Sequence, residues 1–240
     1  MRPVYSKFSK HMRWAVIARR YFIAIRDGML APKKSYAQYG EDMQIENLMA
    51  DLDLDSGIYI DVGANHPTLN SNTYLFYRKN LRGVLVEPDS SNYQLLHRFR
   101  KKDISVRTLI GSNMQLNQFN HAFNSALSSV MSLPAAHIQK QEYIPQITLD
   151  ELTRCIDPKW IFFLSIDAEG ADLQILHGAI ETLKRTYLLC VECPDDGQAE
   201  LDIFMHQNKF TEVGLTNSNK IYCNTIFKCP KKQGMNCSES

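Results

Sequence analysis

The sequence predicts an α/β fold whose mostly parallel sheet ends in an antiparallel hairpin. Short apolar runs rich in β-branched residues alternate with helix-like stretches over residues 58–192, which is the pattern of βαβ units. Two further apolar runs near the C-terminus flank the turn-rich residues 216–220 and indicate a hairpin. With 240 residues, the chain is long enough for one well-packed domain of this kind.

The individual elements follow from residue spacing and turn signals. Ile45, Leu48 and Leu52 recur at helical spacing and predict a helix over Ala37–Leu52. Strands are predicted at Ile58–Val62, Gly83–Glu87, Ile104–Ile110, Ile161–Asp167 and Tyr187–Glu192. Helices are predicted between several of these strands, at Thr73–Lys79, Asn92–Lys101 and Asp172–Arg185. A last helix at Gln198–Asn208 precedes the hairpin strands, Phe210–Leu215 and Ile221–Lys228.

One long segment, Ser112–Gln146, departs from this alternation and is rich in Asn, Ser and Gln. It lies between the third and fourth predicted strands, where a long insertion beside the carboxyl edge of a parallel sheet commonly forms a lid or a substrate wall. Its pattern is also partly helical, which favours a packing role. The polar residues 231–240 are expected to form a flexible tail.

The net charge of +1 hides a strongly basic N-terminal arm, residues 1–34. Nine of the 27 Lys and Arg residues lie in this arm, but only one of the 26 acids, Asp27. Outside the arm, 18 basic and 25 acidic side chains remain, which gives the rest of the chain a net charge of −7. Because a negative surface repels nucleic acid, we expect no nucleic-acid partner for the domain at residues 35–230.

The arm contains an apolar stretch, Trp14–Ile25, that Arg19 and Arg20 interrupt. Both parts are far shorter than the ~20 apolar residues that span a bilayer, and no small-residue cleavage site follows. The pattern predicts either a basic amphipathic helix on an anionic membrane surface or a helix packed on the domain or a partner. We therefore expect a cytoplasmic protein, which in the first case contacts the inner face of the membrane.

The six cysteines lie mostly in or beside apolar runs and show no framework of short, disulfide-rich loops. Reduced thiols are therefore expected. Cys190 and Cys193 form a C-x-x-C pattern, but their side chains would alternate between the two faces of a strand and could not readily share a zinc ion.

A strand, a glycine-containing turn and a helix are predicted within IYIDVGANHPTLNSNTYLFY, residues 58–77. Ligands of open α/β sheets bind at the carboxyl ends of the strands, around the point where the strand order reverses. Gly63 would let the backbone approach such a ligand closely, while Asn65 and Asn72 would supply polar contacts for a carboxylate or a ribose. The alternative is an ordinary tight strand-to-helix turn.

Glu87 ends the next predicted strand, 24 residues after Gly63. An acid at this position can accept both hydroxyls of an adenosine ribose, and the alternative is a surface Glu that precedes Pro88. A dinucleotide site would use G-x-G-x-x-G, but Gly63 is followed by no further glycine in this turn and Pro67 lacks an N–H group. The turn therefore favours S-adenosylmethionine, which has no phosphates. Two alternatives remain, an NAD-dependent oxidoreductase and a catalytically silent membrane-docking adapter.

Five sequence blocks together resemble the FkbM family of S-adenosylmethionine-dependent methyltransferases over about residues 35–230. The blocks are SYAQYGED at 35–42, YIDVGANHPTLNSNTYLFY at 59–77, GVLVEP at 83–88, TLDEL at 148–152 and LSIDAEGADLQIL at 164–176. The resemblance implies a Rossmann-like class I methyltransferase fold and S-adenosylmethionine as methyl donor. It also implies sugar hydroxyls as acceptors, on a glycan or polysaccharide precursor or on a glycosylated natural product.

The resemblance also implies roles for single residues around the cofactor. The cofactor turn would be lined by Asp61, Gly63, Ala64 and Asn65, and Glu87 would hold the ribose. Asp42 would close over the cofactor, although a solvated acid on a helix face is the alternative. Ser112, which follows the third predicted strand, is a candidate for the adenine edge. Many family members have glycine where this chain has Pro67.

Asp167, Glu169 and Glu192 are the candidates for activating the acceptor hydroxyl, since methyl transfer to an alcohol must remove its proton. Asp167 and Glu192 end neighbouring predicted strands, so their carboxylates would lie at one edge of the sheet. They could bind Mg²⁺ or Mn²⁺, or one of them could act as a general base.

Three histidines are further candidates. His66, in the cofactor turn, is an alternative base, although a loop histidine is more often solvated or hydrogen-bonded. His121 and His137 lie in the long insertion, and their position alone makes them candidates for substrate contact.

Overall fold

The computed structural model describes residues 5–30, 33–122, 138–168, 170–192, 198–217 and 219–231. The helices are α1 (Tyr5–Ile25), α2 (Glu41–Leu48), α3 (Tyr74–Arg78), α4 (Ser90–Phe99), α5 (Leu149–Ile156), α6 (Asp172–His177), α7 (Ile180–Lys184) and α8 (Gln198–Gln207). The strands are β1 (Ile58–Val62), β2 (Gly83–Val86), β3 (Ile104–Val106), β4 (Leu109–Ile110), β5 (Gln115–Ala122), β6 (Ile138–Ile147), β7 (Ile161–Ile166), β8 (Thr186–Glu192), β9 (Phe210–Leu215) and β10 (Asn219–Asn224).

Seven strands form the central sheet in the order β3-β2-β1-β7-β8-β10-β9. The pairs from β3 to β8 are parallel, whereas β10 is antiparallel to both β8 and β9. The predicted parallel sheet with a C-terminal antiparallel hairpin is thus confirmed. The strand order reverses between β1 and β7, and this reversal places the expected ligand site at the carboxyl ends of these two strands.

The central strands are apolar because helices cover both faces of the sheet. Every residue of β7, from Ile161 to Ile166, is buried. On one face the strands pack against apolar side chains of α5, α6, α7 and α8, among them Leu152, Ile175 and Phe204. On the other face they pack against α2, α3 and α4 through Ile45, Phe76 and Leu96. This three-layer arrangement holds the strand ends in fixed register around the expected site.

The predicted third strand, Ile104–Ile110, is divided between two sheets. Ile104–Val106 pairs with β2, and the chain then leaves the central sheet so that β4 pairs with β6. The insertion that follows was expected to be partly helical, but its described part consists of the long antiparallel strands β5 and β6. Residues 123–137, including His137, lie outside the described residues.

The helix expected over Asn92–Lys101 is Ser90–Phe99, and the hairpin strand expected over Ile221–Lys228 is Asn219–Asn224. Two other helices differ more. The helix expected over Ala37–Leu52 is shorter and covers Glu41–Leu48. The helix expected over Asp172–Arg185 is divided into α6 and α7 at Gly178, whose Cα packs against the backbone of Gly111.

The basic arm folds into α1 and packs one side against the domain. Tyr21 contacts Phe99 of α4 edge to face, with 5.8 Å between ring centroids, and Ala24 is fully buried. The helix continues into a π-helical turn, Arg26–Leu30. In the part of the chain that the structure describes, no helix has the length and apolarity needed to cross a bilayer. Two roles were predicted for the arm, a membrane-surface helix and a helix packed on the domain. The inner side of α1 packs on the domain, as the second of these predictions expects.

Candidate active site

The turn after β1 brings the backbone of β7 against Gly63. The backbone N–H groups of Gly63 and Ala64 donate to the carbonyl oxygen of Val86, at 3.0 and 3.1 Å. Gly63 has φ +82°, and a Cβ at this position would lie 2.9 Å from the carbonyl carbon of Asp167 and closer still to its oxygen. Asp167 in turn donates its N–H to Val62, at 3.0 Å. Glycine is therefore required for the ends of β1 and β7 to meet as they do.

Glu87 is fixed at the end of β2 by two backbone amides. Asn65, which has φ 47°, donates its N–H to Glu87 Oε2 at 2.8 Å, and Asp89 donates its N–H to Oε1 at 2.7 Å. The side chain is 5% exposed, and burial raises the pKa of Glu87 to about 7 in spite of the two amides. Each oxygen retains a lone pair, so the carboxylate can still accept the hydroxyls of a ribose.

His66 holds the cofactor turn in place. Its Nδ1 accepts the backbone N–H groups of Thr68 and Leu69, at 3.1 and 3.0 Å, so the ring proton resides on Nε2. Nε2 lies 3.1 Å from the carbonyl oxygen of Arg20 and donates to it. Burial, helped by the charge of Arg20, lowers the pKa of His66 to about 4. In this arrangement both nitrogens are engaged, which favours a positioning role for His66 over that of a general base.

Arg20 of α1 lies against the cofactor turn. Its guanidinium donates to the carbonyl oxygen and the side-chain Oδ1 of Asn65, at 3.1 and 2.8 Å. Asn92 of α4 donates to the same Oδ1 at 3.2 Å. Burial lowers the pKa of Arg20, while the nearby carboxylates of Glu87 and Asp89 act in the opposite direction. No pattern in the sequence indicates that this residue of the arm would reach the site.

Asp61 belongs to a buried polar network beneath the turn. Its Oδ2 accepts the hydroxyl of Thr73 at 2.6 Å, and burial raises the pKa of Asp61 to about 6. Arg100, which is fully buried, donates to Thr73 Oγ1 at 3.3 Å and to the carbonyl oxygen of Pro67 at 3.2 Å. It also pairs with Asp103 at 2.8 Å. Arg100 therefore ties the proline of the turn to the acid at the end of β1, a role that the sequence analysis missed.

Asn72 and Asp42, two of the predicted cofactor residues, lie in different surroundings. Asn72 is half-buried and donates from Nδ2 to Ser165 of β7 at 3.1 Å. Asp42 is fully buried and accepts the Ser35 hydroxyl at 2.6 Å and the Tyr36 N–H at 2.7 Å. It thus orders the segment before α2, and the alternative of a solvated acid is wrong because the side chain is buried. Its role over the cofactor stays a prediction.

Ser112, the candidate for the adenine edge, is exposed and follows β4 of the second sheet, because the chain has already left the central sheet after β3. Its contact with the adenine stays a prediction.

The two candidate catalytic acids lie on neighbouring strand ends. Ile166 of β7 pairs with Val191 of β8, so the next residues, Asp167 and Glu192, lie side by side at the carboxyl edge. The Asp167 side chain is exposed and that of Glu192 is half-buried. Glu169 lies outside the described residues. The structure thus brings together two of the three predicted acids, next to the Gly63 turn.

Asp172 orients the loop that carries Asp167. Its Oδ1 accepts the N–H of Ala168 at 3.0 Å, and its Oδ2 accepts the N–H of Gly170 at 3.2 Å. Burial raises the pKa of Asp172 to about 6, and the negative charge of Glu192 acts in the same direction. Its position at the start of α6 was the only sequence signal for this role.

No three His, Cys, Asp or Glu side chains come together as a metal-binding group among the residues that are described. Within those residues Asp167 and Glu192 have no third acid, His or Cys positioned to share a metal ion with them, and the structure adds no support for the predicted Mg²⁺ or Mn²⁺ ion. Cys190 is buried and free, and Cys193 of the C-x-x-C pattern lies outside the described residues.

His121 connects the second sheet to the cofactor edge. Its Nδ1 lies 2.7 Å from Oδ2 of Asp89, the residue that caps α4 and donates its N–H to Glu87. The hydrogen bond to Asp89 raises the pKa of His121, and Glu142 of β6 adds to this effect. The predicted substrate contact thus lies beside the expected ribose position.

The strand order, the glycine turn after β1 and the buried acid at the end of β2 define a Rossmann-like class I methyltransferase. The model of the methyltransferase FkbM domain matches residues 61–212, and the chain belongs to this family of S-adenosylmethionine-dependent methyltransferases. Family and fold together set aside the NAD-dependent oxidoreductase.

Several solved structures are similar to this chain at low sequence identity. Precorrin-6y C5,15-methyltransferase from Geobacter metallireducens is 13% identical with a TM-score of 0.43, covering 83% of this chain and 96% of that one. The N-terminal domain of human METTL16 in complex with SAH is 14% identical with a TM-score of 0.43, and the match covers 87% of this chain and 80% of that one. A human methyltransferase 10 domain containing protein is 11% identical with a TM-score of 0.44, covering 90% and 96%. A search of curated proteins found no significant match.

Proposed function

We propose that this chain is an O-methyltransferase that methylates a sugar hydroxyl of a glycan or polysaccharide precursor or of a glycosylated natural product. The observation that carries the proposal is the exposed carboxylate of Asp167 at the point where the strand order reverses, directly beside the Gly63 turn. FkbM membership supports S-adenosylmethionine as the donor, and its sulfonium supplies an electrophilic methyl group.

The residues around the turn suit the adenosine part of this donor. Gly63 lets the ends of β1 and β7 meet at the edge where the donor would bind, and Glu87 presents a fixed carboxylate to the ribose hydroxyls. Arg20 and His66 hold α1 over this turn, and Glu87 is almost completely buried beneath it. We therefore expect α1 to shift outward to admit the donor and to return once it is bound.

Asp167 is the proposed general base. Its carboxylate takes the proton of the sugar hydroxyl while the hydroxyl oxygen forms its bond to the methyl carbon and the carbon–sulfur bond breaks. Asp172 keeps the Asp167 loop in position through the amides of Ala168 and Gly170. Glu192, on the neighbouring strand end, can accept a hydrogen bond from a second sugar hydroxyl and so orient the ring.

The charge of the site supports a sugar over a nucleic acid as acceptor. The strand-end edge carries Asp167, Asp172 and Glu192, and the chain outside the arm has a net charge of −7. Carboxylates accept hydrogen bonds from sugar hydroxyls, whereas they repel a phosphate backbone. The acid-rich edge therefore favours a neutral polyol surface on the acceptor.

The test is methyl transfer by the full chain from S-adenosylmethionine to a panel of nucleotide sugars, oligosaccharides and glycosides, with S-adenosylhomocysteine measured as product. Asp167→Asn should lower turnover by about 10²- to 10⁴-fold and leave affinity for S-adenosylhomocysteine unchanged. Asp51→Asn, at an exposed acid away from the strand ends, is the matched control and should keep full activity.

Three outcomes would contradict the proposal. Near wild-type turnover by Asp167→Asn on a competent sugar would remove Asp167 from the chemistry. Methylation of RNA in preference to every sugar would replace the acceptor class. Intact binding of S-adenosylhomocysteine without transfer to any acceptor class would favour the silent adapter.

A further inference from the structure

Helix α1 presents an apolar stripe to solvent, which we call the outer face of α1: Ala15, Ala18, Phe22 and Ile25. These residues recur at i, i+3, i+7 and i+10 and therefore share one side of the helix. All four are exposed, Phe22 to 59% and Ile25 to 40%. Large apolar side chains in such a contiguous stripe commonly mark an interaction surface.

The opposite side of the same helix fixes the direction of the outer face. Arg20 bonds to Asn65, Tyr21 packs on Phe99, and Ala24 is fully buried. Because these contacts use the inner side of α1, the outer face points away from the domain. It is therefore a surface that the folded protein presents to solvent.

Basic side chains flank the outer face on both sides. Arg19 is exposed on one flank. On the other flank, the guanidinium of Arg98 lies over the Tyr21 ring at 5.9 Å, and a groove beside it is lined by His97 and Lys101. The flanks thus combine cations of the arm with cations from the end of α4.

We infer that the outer face of α1 docks on an anionic lipid bilayer, with the helix in the interfacial plane. Phe22 and Ile25 would enter the boundary between headgroups and acyl chains, and the flanking cations would contact anionic headgroups. This inference is independent of the acceptor proposed above, because it uses residues outside the strand-end site.

A second copy of the chain is a less suitable occupant of the same face. The apolar spacing alone would also fit a helix pair, but the arm holds nine basic residues and one acid. Two copies of α1 would therefore bring like charges together, whereas an anionic bilayer would neutralise them.

The test is flotation of the full chain with phosphatidylcholine vesicles and with vesicles that also contain phosphatidylglycerol. We expect binding to the anionic vesicles, weakened by added salt. Phe22→Ser should lower the partition coefficient tenfold or more, to about the extent expected for losing a buried aromatic side chain. Arg19→Gln should lower it about fivefold.

Matched controls separate the outer face from general surface effects. Ile203→Ser changes an equally exposed residue of α8, and Lys159→Gln removes an exposed cation elsewhere; both should bind vesicles like the wild type. Unchanged affinity for S-adenosylhomocysteine verifies that each variant is folded.

Three results would overturn the inference. The first is equal vesicle binding by Phe22→Ser and the wild type. The second is a dimer in light scattering that Phe22→Ser dissociates, which would make the outer face a contact between copies. The third is binding of duplex DNA without binding of anionic vesicles.

Discussion

Gly63 and Asp167 meet where the first and fourth strands of the parallel region end. The Cα of Gly63 faces the Asp167 carbonyl so closely that a Cβ would lie 2.9 Å from the carbonyl carbon. The Asp167 N–H donates to Val62, next to Gly63, at 3.0 Å. The donor-binding turn and the proposed base are therefore parts of one rigid junction.

Gly63→Ala should destabilise the protein and abolish binding of S-adenosylhomocysteine. The added Cβ would overlap the backbone of Asp167 and would also force alanine to keep φ +82°. Gly40→Ala is the matched control, because Gly40 has φ +86° with open space around it. That control should cost only the backbone strain, about 1–2 kcal/mol.

Urea denaturation of the two variants checks this prediction. Gly63→Ala should lose more free energy of unfolding than Gly40→Ala if Gly63 contacts the Asp167 backbone as described. Equal losses would show that the two strand ends are not in contact as described.

Affinity for S-adenosylhomocysteine should rise with pH through about 7, the pKa to which burial raises Glu87. The ionised carboxylate accepts the ribose hydroxyls better, so below that pKa affinity should fall by up to about tenfold per pH unit. Folding stability has the opposite trend. The contribution of Glu87 is complete below its unfolded pKa of 4.5 and is lost as pH rises through about 7.

Calorimetric titrations between about pH 6 and about pH 8 measure this dependence. Glu87→Gln should flatten the profile, whereas Glu181→Gln, at an exposed acid of α7, should keep it. A Glu87→Gln profile as steep as that of the wild type would assign the titration to another group.

Arg20→Ala should speed both association and dissociation of S-adenosylhomocysteine. Arg20 holds α1 against Asn65, and Glu87 is 5% exposed under this closed arrangement.

Surface plasmon resonance measures the two rate constants of S-adenosylhomocysteine binding. Arg19→Ala, at the exposed neighbouring residue, is the matched control. Identical rate constants for Arg20→Ala and Arg19→Ala would mean that α1 does not control access to the turn.

The sequence was sufficient for the parts of the fold that local patterns specify. Buried parallel strands need continuous apolar runs, and β7 and β8 have them. The prediction was clearly wrong for the insertion, Ser112–Gln146, which was expected to be partly helical. Its strands β5 and β6 are polar on much of both faces, and exposed side chains such as Leu116 and Tyr143 give no regular alternation. Such strands are specified by their pairing and not by their own composition.

The sequence predicted those residues of the site that lie at the ends of strands, because the strand order determines their positions. Gly63, Glu87, Asp167 and Glu192 lie where the strand order places them. Other contacts depend on tertiary packing over long separations, such as Arg20 with Asn65 or His121 with Asp89. The hydrogen bonds of His66 could not be predicted for the same reason, because its partner on Nε2 lies 46 residues earlier in the chain.

The most direct test that the Gly63 turn and Glu87 bind the methyl donor is titration calorimetry. The wild type and Glu87→Ala are titrated with S-adenosylhomocysteine, and the wild type is also titrated with NAD. Removing a charged acceptor of ribose hydroxyls costs about 1.5–3 kcal/mol, so Glu87→Ala should bind about 10- to 150-fold more weakly. NAD should not bind. A folded Glu87→Ala protein with wild-type affinity for S-adenosylhomocysteine, or a wild-type protein that prefers NAD, would contradict the assignment.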